Sequence, residues 1–401
     1  MKIKVGVFFG GNSVEHEVSI ITAVQAMENI NKEKYEVIPV YIDKDRIFYT
    51  GSILKDMETY KDFVSYKKFL KKVTLVKNGN DFELVAYEKL LRPVVSSIDV
   101  AFPIVHGKGV EDGSLAGYFD TIGIPYVGPN VLSAALGQDK VVQKQVLKSE
   151  GVNVVDYMWF YDEEYVVNEE TILKKIKKFG YPVIVKPAKL GSSIGISYVK
   201  DEKEIKEAIE DAINYDDKII IEKVVKNLIE VDCAVFGDHN YMETSSIGEM
   251  LTSNNILTFE DKYIGDGSKT SSKKVGTKSS SSVSTSGFRI PAKIDKKIEE
   301  EIYDQAKKAF RALDLCGVTR FDFLVDSKEK KVYVNEPNTI PGCLAFFFFT
   351  PKGTSYEDLL DNMITLTIKN YKNKTKKVSS FESNVLSTYS GGAKGSKSKL
   401  H

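Results

Sequence analysis

Cysteine is scarce in this chain, and its spacing excludes several kinds of framework. The 401 residues include three cysteines, Cys233, Cys316 and Cys343, with no C-x-x-C pair. An odd number of widely spaced cysteines argues against both a disulfide framework and a structural zinc site, and it is typical of a reducing compartment. We therefore expect a cytoplasmic protein.

Net charge and long apolar runs are absent as well. Lysine plus arginine and aspartate plus glutamate both total 56, so the formal net charge at pH 7 is +0. Without a basic excess, nucleic acid is not expected as a partner. No segment approaches the roughly 20 apolar residues of a membrane span, so no membrane is expected, and the N-terminal apolar run is too short for a signal peptide. The length allows two or three domains.

The first part of the chain has the pattern of an open α/β sheet. Gly10 and Gly11 form a turn between a strand and a helix, as in a Rossmann-like opening. The G-x-G-x-x-G fingerprint is absent, so binding of a dinucleotide is not favoured. Apolar runs predict strands at 2–9, 35–42 and 100–105, a helix at 17–29, and peripheral hairpins within 45–95.

A histidine stands at the end of the third strand. His106 is either a structural hydrogen-bonding residue or part of a ligand site, because ligands bind outside the carboxyl ends of such strands. Residues 124–129 predict one more short strand. Asp139 and Lys140 then open a helix that reaches about Glu150, and a domain boundary is expected near it.

The middle of the chain places a lysine in an apolar strand. The run YPVIVKPAKLGSSIGIS (181–197) predicts a strand, a loop and a strand, with Lys186 in the first strand. A lysine is expensive to bury unless an anion meets it, and the small residues 191–193 let backbone amides approach phosphate oxygens. The alternative is an ordinary hairpin. Residues 218–225 predict another buried strand, with Glu230 just beyond it.

A long polar stretch follows. Residues 265–287 are rich in serine and lysine and have almost no apolar side chains, so they form no core. The stretch comes directly after Glu260-Asp261-Lys262-Tyr263. It is either plain disorder or a lid over an anionic substrate.

The stretch VTRFDFLVDSKEKKVYVNEPNTIPG (318–342) predicts a β-hairpin with its turn near Glu329. Side chains alternate along a strand, so a symmetric turn sets Asp322 opposite Glu336 and Arg320 opposite Asn338, all on one surface. We expect Phe321, Phe323, Val325 and Tyr333 on the other surface, and Leu324, Val332 and Val334 on the polar side nearer the turn.

Two adjacent carboxylates repel each other unless a cation lies between them. All the candidate ligands are oxygens, which favours Mg²⁺ or Mn²⁺ over Zn²⁺, and Mg²⁺ usually shares its ligands with substrate phosphates. The hairpin therefore indicates a nucleotide site. The alternative is a solvated hairpin face with a surface ion pair.

Together these motifs resemble the D-alanine–D-alanine ligases of the ATP-grasp superfamily, from Lys4 to about Asn370. The family's order is kept by GGNSVEHEVS, HGKGVEDGS, GIPYVG, DK (139–140), VIVKPAKLGSSIGIS, EDKY, RFDF and NEPNTIPG. The resemblance implies an α/β ATP-grasp fold with an N-terminal Rossmann-like (pre-ATP-grasp) domain, a small central α+β domain and a C-terminal α+β domain. We expect these domains at 1–139, 140–226 and 227–372, with a mobile loop at 264–288 and a tail at 373–401.

The resemblance also implies the cofactor residues. Lys140 and Lys186 match the family's phosphate lysines, and the nucleotide set further includes Ser192 and Lys262. Glu222, Lys223 and Val225 match the adenine pocket, and Glu230 matches the ribose ligand with a spacing one residue longer. Asp322, Glu336 and Asn338 match the ligands of two magnesium ions, with Mn²⁺ possible in their place.

For the substrates, the resemblance implies that Glu15 takes the ammonium group of the first D-alanine, in a linked trio with Ser192 and Tyr263. His106 lines that pocket, and Arg320 and the Gly342 amide stabilise the oxyanion. The implied reaction is attack of the first amino acid's carboxylate on ATP, followed by attack of a second amine on the acyl phosphate. A homodimer and a role in peptidoglycan precursor synthesis are expected on the same ground.

The run after Gly342 departs from the family pattern. Phe347 stands where a hydroxyl residue usually receives the second substrate's carboxylate, and an aromatic ring cannot accept that role. The alternatives are a ligase that joins D-alanine, or another amino acid, to a different acceptor, and a non-catalytic nucleotide-binding protein. The complete set of Arg320, Asp322, Glu336 and Asn338 argues against the last.

Overall fold

The computed structural model describes residues 2–88, 91–251 and 287–378 and has a mixed α/β architecture with three sheets. Lys262 and Tyr263, the predicted loop up to residue 286 and the tail from residue 379 lie outside the described residues. Of the helices in the part of the chain that is described, none has both the length and the hydropathy that a membrane span requires.

The first sheet has seven strands in the order β6-β5-β4-β3-β2-β1-β7. β1 pairs in parallel with β2 and β7, and β3 to β6 extend the sheet in antiparallel pairs. The predictions for 35–42, 100–105 and the hairpins are confirmed. The strands are β1 (Ile3–Gly10), β2 (Tyr35–Ile42), β3 (Phe48–Thr50), β4 (Lys71–Asn78), β5 (Asp81–Ala86), β6 (Val94–Ile98) and β7 (Val100–Val105).

The described residues in the first part of the chain include six α-helices, and the first of them, His16–Asn29, packs against β1 and β7 of this sheet. The predicted strand at 124–129 is wrong, because Tyr126 makes only an isolated bridge to Ala101. The predicted helix at Asp139-Lys140 is confirmed, and the Asp139 carboxylate caps it by accepting from the amides of Val141 and Val142. The helices are α1 (His16–Asn29), α2 (Glu58–Lys61), α3 (Phe63–Tyr66), α4 (Ser114–Ile122), α5 (Val131–Gln138) and α6 (Lys140–Ser149).

The second sheet is small and antiparallel, with the order β10-β9-β11-β8. Its core consists of apolar residues from the sheet and its two helices, mostly aliphatic, with Phe160 and Tyr165 among them. The predicted strand at 218–225 is confirmed but ends at Lys223. The elements are β8 (Tyr157–Tyr161), α7 (Asp162–Phe179), β9 (Val183–Pro187), β10 (Ser197–Val199), α8 (Ile205–Ile213) and β11 (Lys218–Lys223).

The third sheet has five antiparallel strands in the order β14-β13-β12-β15-β16. Helix α9 packs on it, whereas α11 shares a core with the first sheet, where Leu360 and Ile364 join Val5 and Phe102. The elements are β12 (Leu228–Gly237), β13 (Met242–Met250), β14 (Phe288–Arg289), α9 (Lys296–Ala312), β15 (Gly317–Asp326), β16 (Lys331–Asn338), α10 (Phe346–Phe349) and α11 (Tyr356–Lys374).

Candidate active site

The hairpin β15–β16 has the predicted register near its open end. Asp322 lies opposite Glu336, and Arg320 lies opposite Asn338. The ladder then shifts, because Phe323 pairs with Val334 and Asn335 is left as an extra residue on β16. The strand therefore carries a β-bulge directly beside Glu336.

The bulge corrects the prediction for the apolar surface. Val332 and Val334, not Tyr333, are buried in the same core as Phe323 and Val325. One inserted residue reverses the alternation of side chains between the bulge and the turn. Because of the bulge, Asn335 and Glu336 are neighbours in sequence and yet both line one cavity.

Basic side chains surround the two carboxylates of the hairpin. The Arg320 guanidinium binds both oxygens of Asp322, at 2.8 and 3.2 Å, and its Nε lies 3.1 Å from a carboxylate oxygen of Asp232 on β12. Lys140 Nζ lies 2.9 Å from Glu336 Oε2. Asp232 was not predicted, although it is an acid followed by the apolar run of β12, and a buried acid requires such a partner.

The hairpin carries a donor set that bears on the predicted metal site. Among the residues that the structure describes, no group of three or more His, Cys, Asp or Glu side chains is arranged to hold a metal ion. The donor set at the hairpin is instead two carboxylates and an amide: Asp322 and Glu336 are directly paired, and Asn338 Nδ2 donates to Asp322 Oδ1 at 3.0 Å. These oxygen donors on one surface fit a hard cation such as Mg²⁺.

A cavity of about 420 Å³ lies between the second and third sheets. It brings together predicted residues from five strands and the segment that joins β11 to β12. We refer to it as the larger cavity. The predicted residues that line it are Lys186, Glu222, Lys223, Val225, Glu230, Asp322 and Glu336.

Glu222 lies in the wall of this cavity between two lysines. Its carboxylate oxygens are 2.6 Å from Lys186 Nζ and 3.1 Å from Lys144 Nζ. Burial alone would raise the pKa of Glu222, but the two ammonium groups outweigh it and lower that pKa to about 2. Burial also acts against the charge of Lys186, yet Glu222 and Glu336 raise the Lys186 pKa above its ordinary value. The cavity wall therefore holds ionised groups.

A second cavity, of about 60 Å³, adjoins the hairpin on the side of the first sheet. Glu15, His106, Arg320 and Gly342 line it, as do Lys140 and Asn338, so it collects the predicted substrate residues. The Ser192 hydroxyl donates to the Glu15 carboxylate, which brings the loop after β9 onto the start of α1. We refer to it as the smaller cavity.

Burial shifts the pKa values of two titratable groups at the smaller cavity. It lowers the pKa of His106 to about 4, so this imidazole is neutral at pH 7. It raises the pKa of Glu111 to about 7, with the charge of Glu15 as the next cause. His106 and Glu111 are thus shifted toward their neutral forms, in contrast to Glu222 and Lys186 at the larger cavity.

Glu111 is a site residue that the sequence reasoning missed. Its carboxylate accepts from the amide of Gly107 at 2.9 Å, and from the amide of Ile340 and the hydroxyl of Thr339 at 3.1 Å each. It thereby joins the loop after β7 to the loop that carries Gly342. The HGKGVEDGS motif contained it, but only the fold shows what it contacts.

The chain after Gly342 takes an unusual path. Cys343, Leu344 and Ala345 have φ angles of 52°, 49° and 53°, a left-handed turn made without glycine. Such residues carry backbone strain that the surrounding packing must hold. Phe347 packs on Phe288 and Phe348 and is not one of the described residues that line either cavity. Its place in substrate binding stays a prediction.

Comparison with known protein families identifies both halves of the chain. Residues 4–129 match the family model described as D-ala D-ala ligase N-terminus, and residues 146–365 match D-ala D-ala ligase C-terminus. A D-alanine--D-alanine ligase of Thermosipho melanesiensis is 39% identical over 384 residues, which cover 96% of this chain and 98% of that protein.

Two solved structures share the fold over nearly the whole chain. The VanG D-Ala:D-Ser ligase of Enterococcus faecalis has a TM-score of 0.75 at 30% identity, with 92% of this chain and 100% of that chain covered. The D-alanine-D-alanine ligase of Coxiella burnetii has a TM-score of 0.75 at 26% identity, with 94% and 98% covered.

Proposed function

The chain belongs to the D-alanine–D-alanine ligase family, and from this premise we propose that its larger cavity binds ATP and its smaller cavity binds the first D-alanine. The protein is an ATP-dependent ligase that joins two D-alanines for peptidoglycan precursor synthesis. The observation that carries the assignment of the cavities is the convergence of Lys186, Asp322 and Glu336 on one cavity, beside the Glu15–Ser192 contact.

The nucleotide residues follow from their places around the larger cavity. Lys140 and Lys186 are the phosphate lysines, because Lys140 Nζ lies 2.9 Å from the hairpin carboxylate of Glu336 and Lys186 lines the same cavity as Asp322 and Glu336. Lys223, the last residue of β11, and Val225, in the segment that follows it, present backbone groups to a flat base. Glu230, at the start of β12, is the ribose ligand, and Glu222 contributes from the same wall.

Asp322, Glu336 and Asn338 would hold two Mg²⁺ ions, or Mn²⁺ in their place. When bound, these cations neutralise charge on the triphosphate. Before they bind, Arg320 and Lys140 balance the two carboxylates. The half-buried carboxylates of Asp322 and Glu336 would thus have a cationic partner with or without bound metal.

Glu15 binds the ammonium group of the first D-alanine, and Ser192 fixes the Glu15 carboxylate. This orients the carboxylate of D-alanine toward the γ-phosphate. An oxygen of the D-alanine carboxylate attacks the γ-phosphorus and ADP leaves, a transfer that depends on positioning and charge stabilisation. The amine of the second D-alanine, having lost a proton, attacks the acyl carbon. Arg320 and the Gly342 amide stabilise the oxyanion until the C–O bond to phosphate breaks.

Water must be kept from the acyl phosphate, because it would hydrolyse that intermediate. Neutral His106 helps here, because it lines the smaller cavity without adding a charged, hydrated group. Lys262 and Tyr263, which lie outside the described residues, are proposed to complete the closure, and Tyr263 to complete the trio with Glu15 and Ser192.

The residues after Gly342 bear on the identity of the second substrate. The run from Cys343 to Phe349 has no hydroxyl side chain, and one solved relative is named a D-Ala:D-Ser ligase. A different acceptor is therefore the second candidate function, with the same activation of the first D-alanine.

The test is phosphate release from ATP with D-alanine alone, then with D-alanine plus a panel of second amino acids and hydroxy acids. Release with D-alanine alone, together with a D-alanyl-D-alanine product, supports the leading proposal. Release only with another acceptor supports the second candidate. No release in any mixture contradicts both.

Three further properties belong to the same proposal. The domains are 1–139, 140–226 and 227–372 in an ATP-grasp arrangement, with ATP held between the second and third. The enzyme acts in the cytoplasm, where ATP is supplied, and it is a homodimer. Analytical ultracentrifugation at several protein concentrations tests the dimer, and a mass of a single chain at all of them contradicts it.

A further inference from the structure

A lysine that is not among the described residues lining the larger or the smaller cavity lies next to the proposed phosphate lysine. Lys144 is on α6, one helical turn after Lys140, so both side chains project from the same face of the helix. Lys140 meets Glu336, and Lys144 meets Glu222. The described residues that line the larger cavity include Lys186 and Glu222 but not Lys144.

Lys144, Glu222 and Lys186 form a buried triad with one surplus positive charge. Their side chains are 0%, 2% and 9% exposed, and the single carboxylate lies 3.1 and 2.6 Å from the two ammonium groups. A buried ion without a partner is strongly unfavourable, so Glu222 must keep at least one lysine. Of the two lysines, Lys186 lines the larger cavity and Lys144 is not among the described residues that do, so Lys186 is the one of the pair whose charge can be offered to an anion there.

We propose that Lys144 is the permanent counter-ion of Glu222 and thereby leaves the charge of Lys186 available to the phosphates of a bound nucleotide. The inference rests on the proposed ATP site. Without Lys144, the Glu222 carboxylate would form an ion pair with Lys186 alone. The phosphates of a nucleotide would then have to break that ion pair to bind Lys186. Lys144 is thus a positioning residue, since it acts through Glu222 and Lys186.

A second contact fixes Lys144 in this role. Its ammonium group donates to the backbone carbonyl of Asn335, the bulge residue of β16, at 2.9 Å. Lys186 lies 3.4 Å from the side-chain oxygen of the same Asn335. The ammonium group of Lys144 is therefore held between β11 and the bulge, so it cannot replace Lys186 in the cavity.

The test compares affinities for a non-hydrolysable ATP analogue with Mg²⁺ and for adenosine, measured by calorimetry on the full-length enzyme. The ratio of the two affinities isolates the contribution of the phosphates and cancels effects on the base. We expect Lys144→Met to lower this ratio by about tenfold or more. Lys148→Met, at an exposed lysine of the same helix, is the matched control and keeps the wild-type ratio.

The double variant Lys144→Met/Glu222→Gln separates this role from simple packing. It removes one positive and one negative charge, so Lys186 is again the surplus charge, and we expect a ratio within about threefold of wild type. Equal loss of affinity for both ligands in Lys144→Met, or a low ratio in the double variant, overturns the inference. If Lys144→Met fails to fold, Lys144→Gln, which keeps a donor for the Asn335 carbonyl but removes the charge, takes its place, and the same fall in the ratio is expected.

The wild-type protein distinguishes this inference from the function beneath it. If wild type binds the analogue no better than adenosine, the larger cavity is not an ATP site, and the inference falls with that proposal. If wild type prefers the analogue and Lys144→Met retains the preference, only the role of Lys144 is wrong.

Discussion

The pKa values of two carboxyl groups, one at each cavity, are shifted in opposite directions. In the larger cavity, the Glu222 carboxylate lies between Lys144 and Lys186, and its pKa falls to about 2. In the smaller cavity, Glu111 has only neutral donors within hydrogen-bonding distance among its described contacts, and its pKa rises to about 7. The first arrangement suits ionised phosphates. The second suits a small substrate that must be shielded from water.

The largest effect is expected at the hairpin of the larger cavity. Glu336→Gln removes a carboxylate that a bound cation requires, and we expect kcat to fall at least 1,000-fold, about 4 kcal/mol. Phosphate release with saturating ATP and D-alanine measures this. Glu329→Gln, at an exposed residue of the hairpin turn, is the control and should be fully active. A Glu336→Gln enzyme that keeps more than about a tenth of its activity would show that the metal assignment is wrong.

The charge balance of the larger cavity can be broken without touching the hairpin. Glu222→Ala leaves Lys144 and Lys186 buried with no carboxylate between them, and we expect the free energy of unfolding to drop by about 3 kcal/mol or more. Urea denaturation provides the measurement. Glu202→Ala removes the partner of exposed Lys177 and should cost no more than about 1 kcal/mol. Equal losses for the two variants would contradict the contrast between buried and surface pairs.

The raised pKa of Glu111 in the smaller cavity predicts that the free energy of unfolding depends on pH. Burial raises the pKa of Glu111 from 4.5 to about 7, so the folded protein binds its proton more tightly than the unfolded chain does. The stability of wild type relative to Glu111→Gln should therefore fall as pH rises from about 4.5 to 7, by roughly 2–3 kcal/mol, and stay level above that range.

Urea denaturation of both proteins across this pH range tests the point. The titration of His106, whose pKa is lowered to about 4, acts in both proteins and largely cancels in the difference. A difference that is constant between pH 4.5 and 7, or one that grows with pH, is incompatible with a buried Glu111 of raised pKa.

A smaller effect sharpens the geometry of the amino-acid site. A Cβ at Gly137 would lie 2.6 Å from Thr339 Cγ2, so Gly137→Ala must displace the side chain that donates to Glu111. We expect KM for D-alanine to rise several-fold, about 1 kcal/mol, with KM for ATP unchanged. Gly117→Ala has room for the new methyl group and is the control. A larger change in KM for ATP than for D-alanine would contradict this prediction.

The fold was largely predictable from local pattern, because buried strands appear as apolar runs. β2 and β7 were predicted to the residue, and the pairing of Asp322 with Glu336 followed from the alternation of side chains. The bulge at Asn335 was not predictable from alternation alone. A single extra residue changes which side chains face the core, and here it moved Val332 and Val334 inward.

The missed site residues share one property: each depends on contacts between distant segments. Glu111 meets Thr339 and Ile340, and Lys144 meets Glu222 and Asn335, all far away along the chain. For Lys144 a signal existed, since it stands four residues after Lys140 on one helix face. The left-handed turn at Cys343 had no sequence signal, because such a conformation is predicted from glycine and this turn contains none.

The most direct measurement follows an isotope from the smaller cavity to the phosphate. D-alanine labelled with ¹⁸O in its carboxylate is turned over with unlabelled ATP, and the released phosphate is analysed by mass spectrometry. Attack of the carboxylate on the γ-phosphate predicts that one ¹⁸O passes into phosphate for each peptide bond formed. Unlabelled phosphate alongside a dipeptide product would contradict the acyl-phosphate route and, with it, the account of how the two cavities work together.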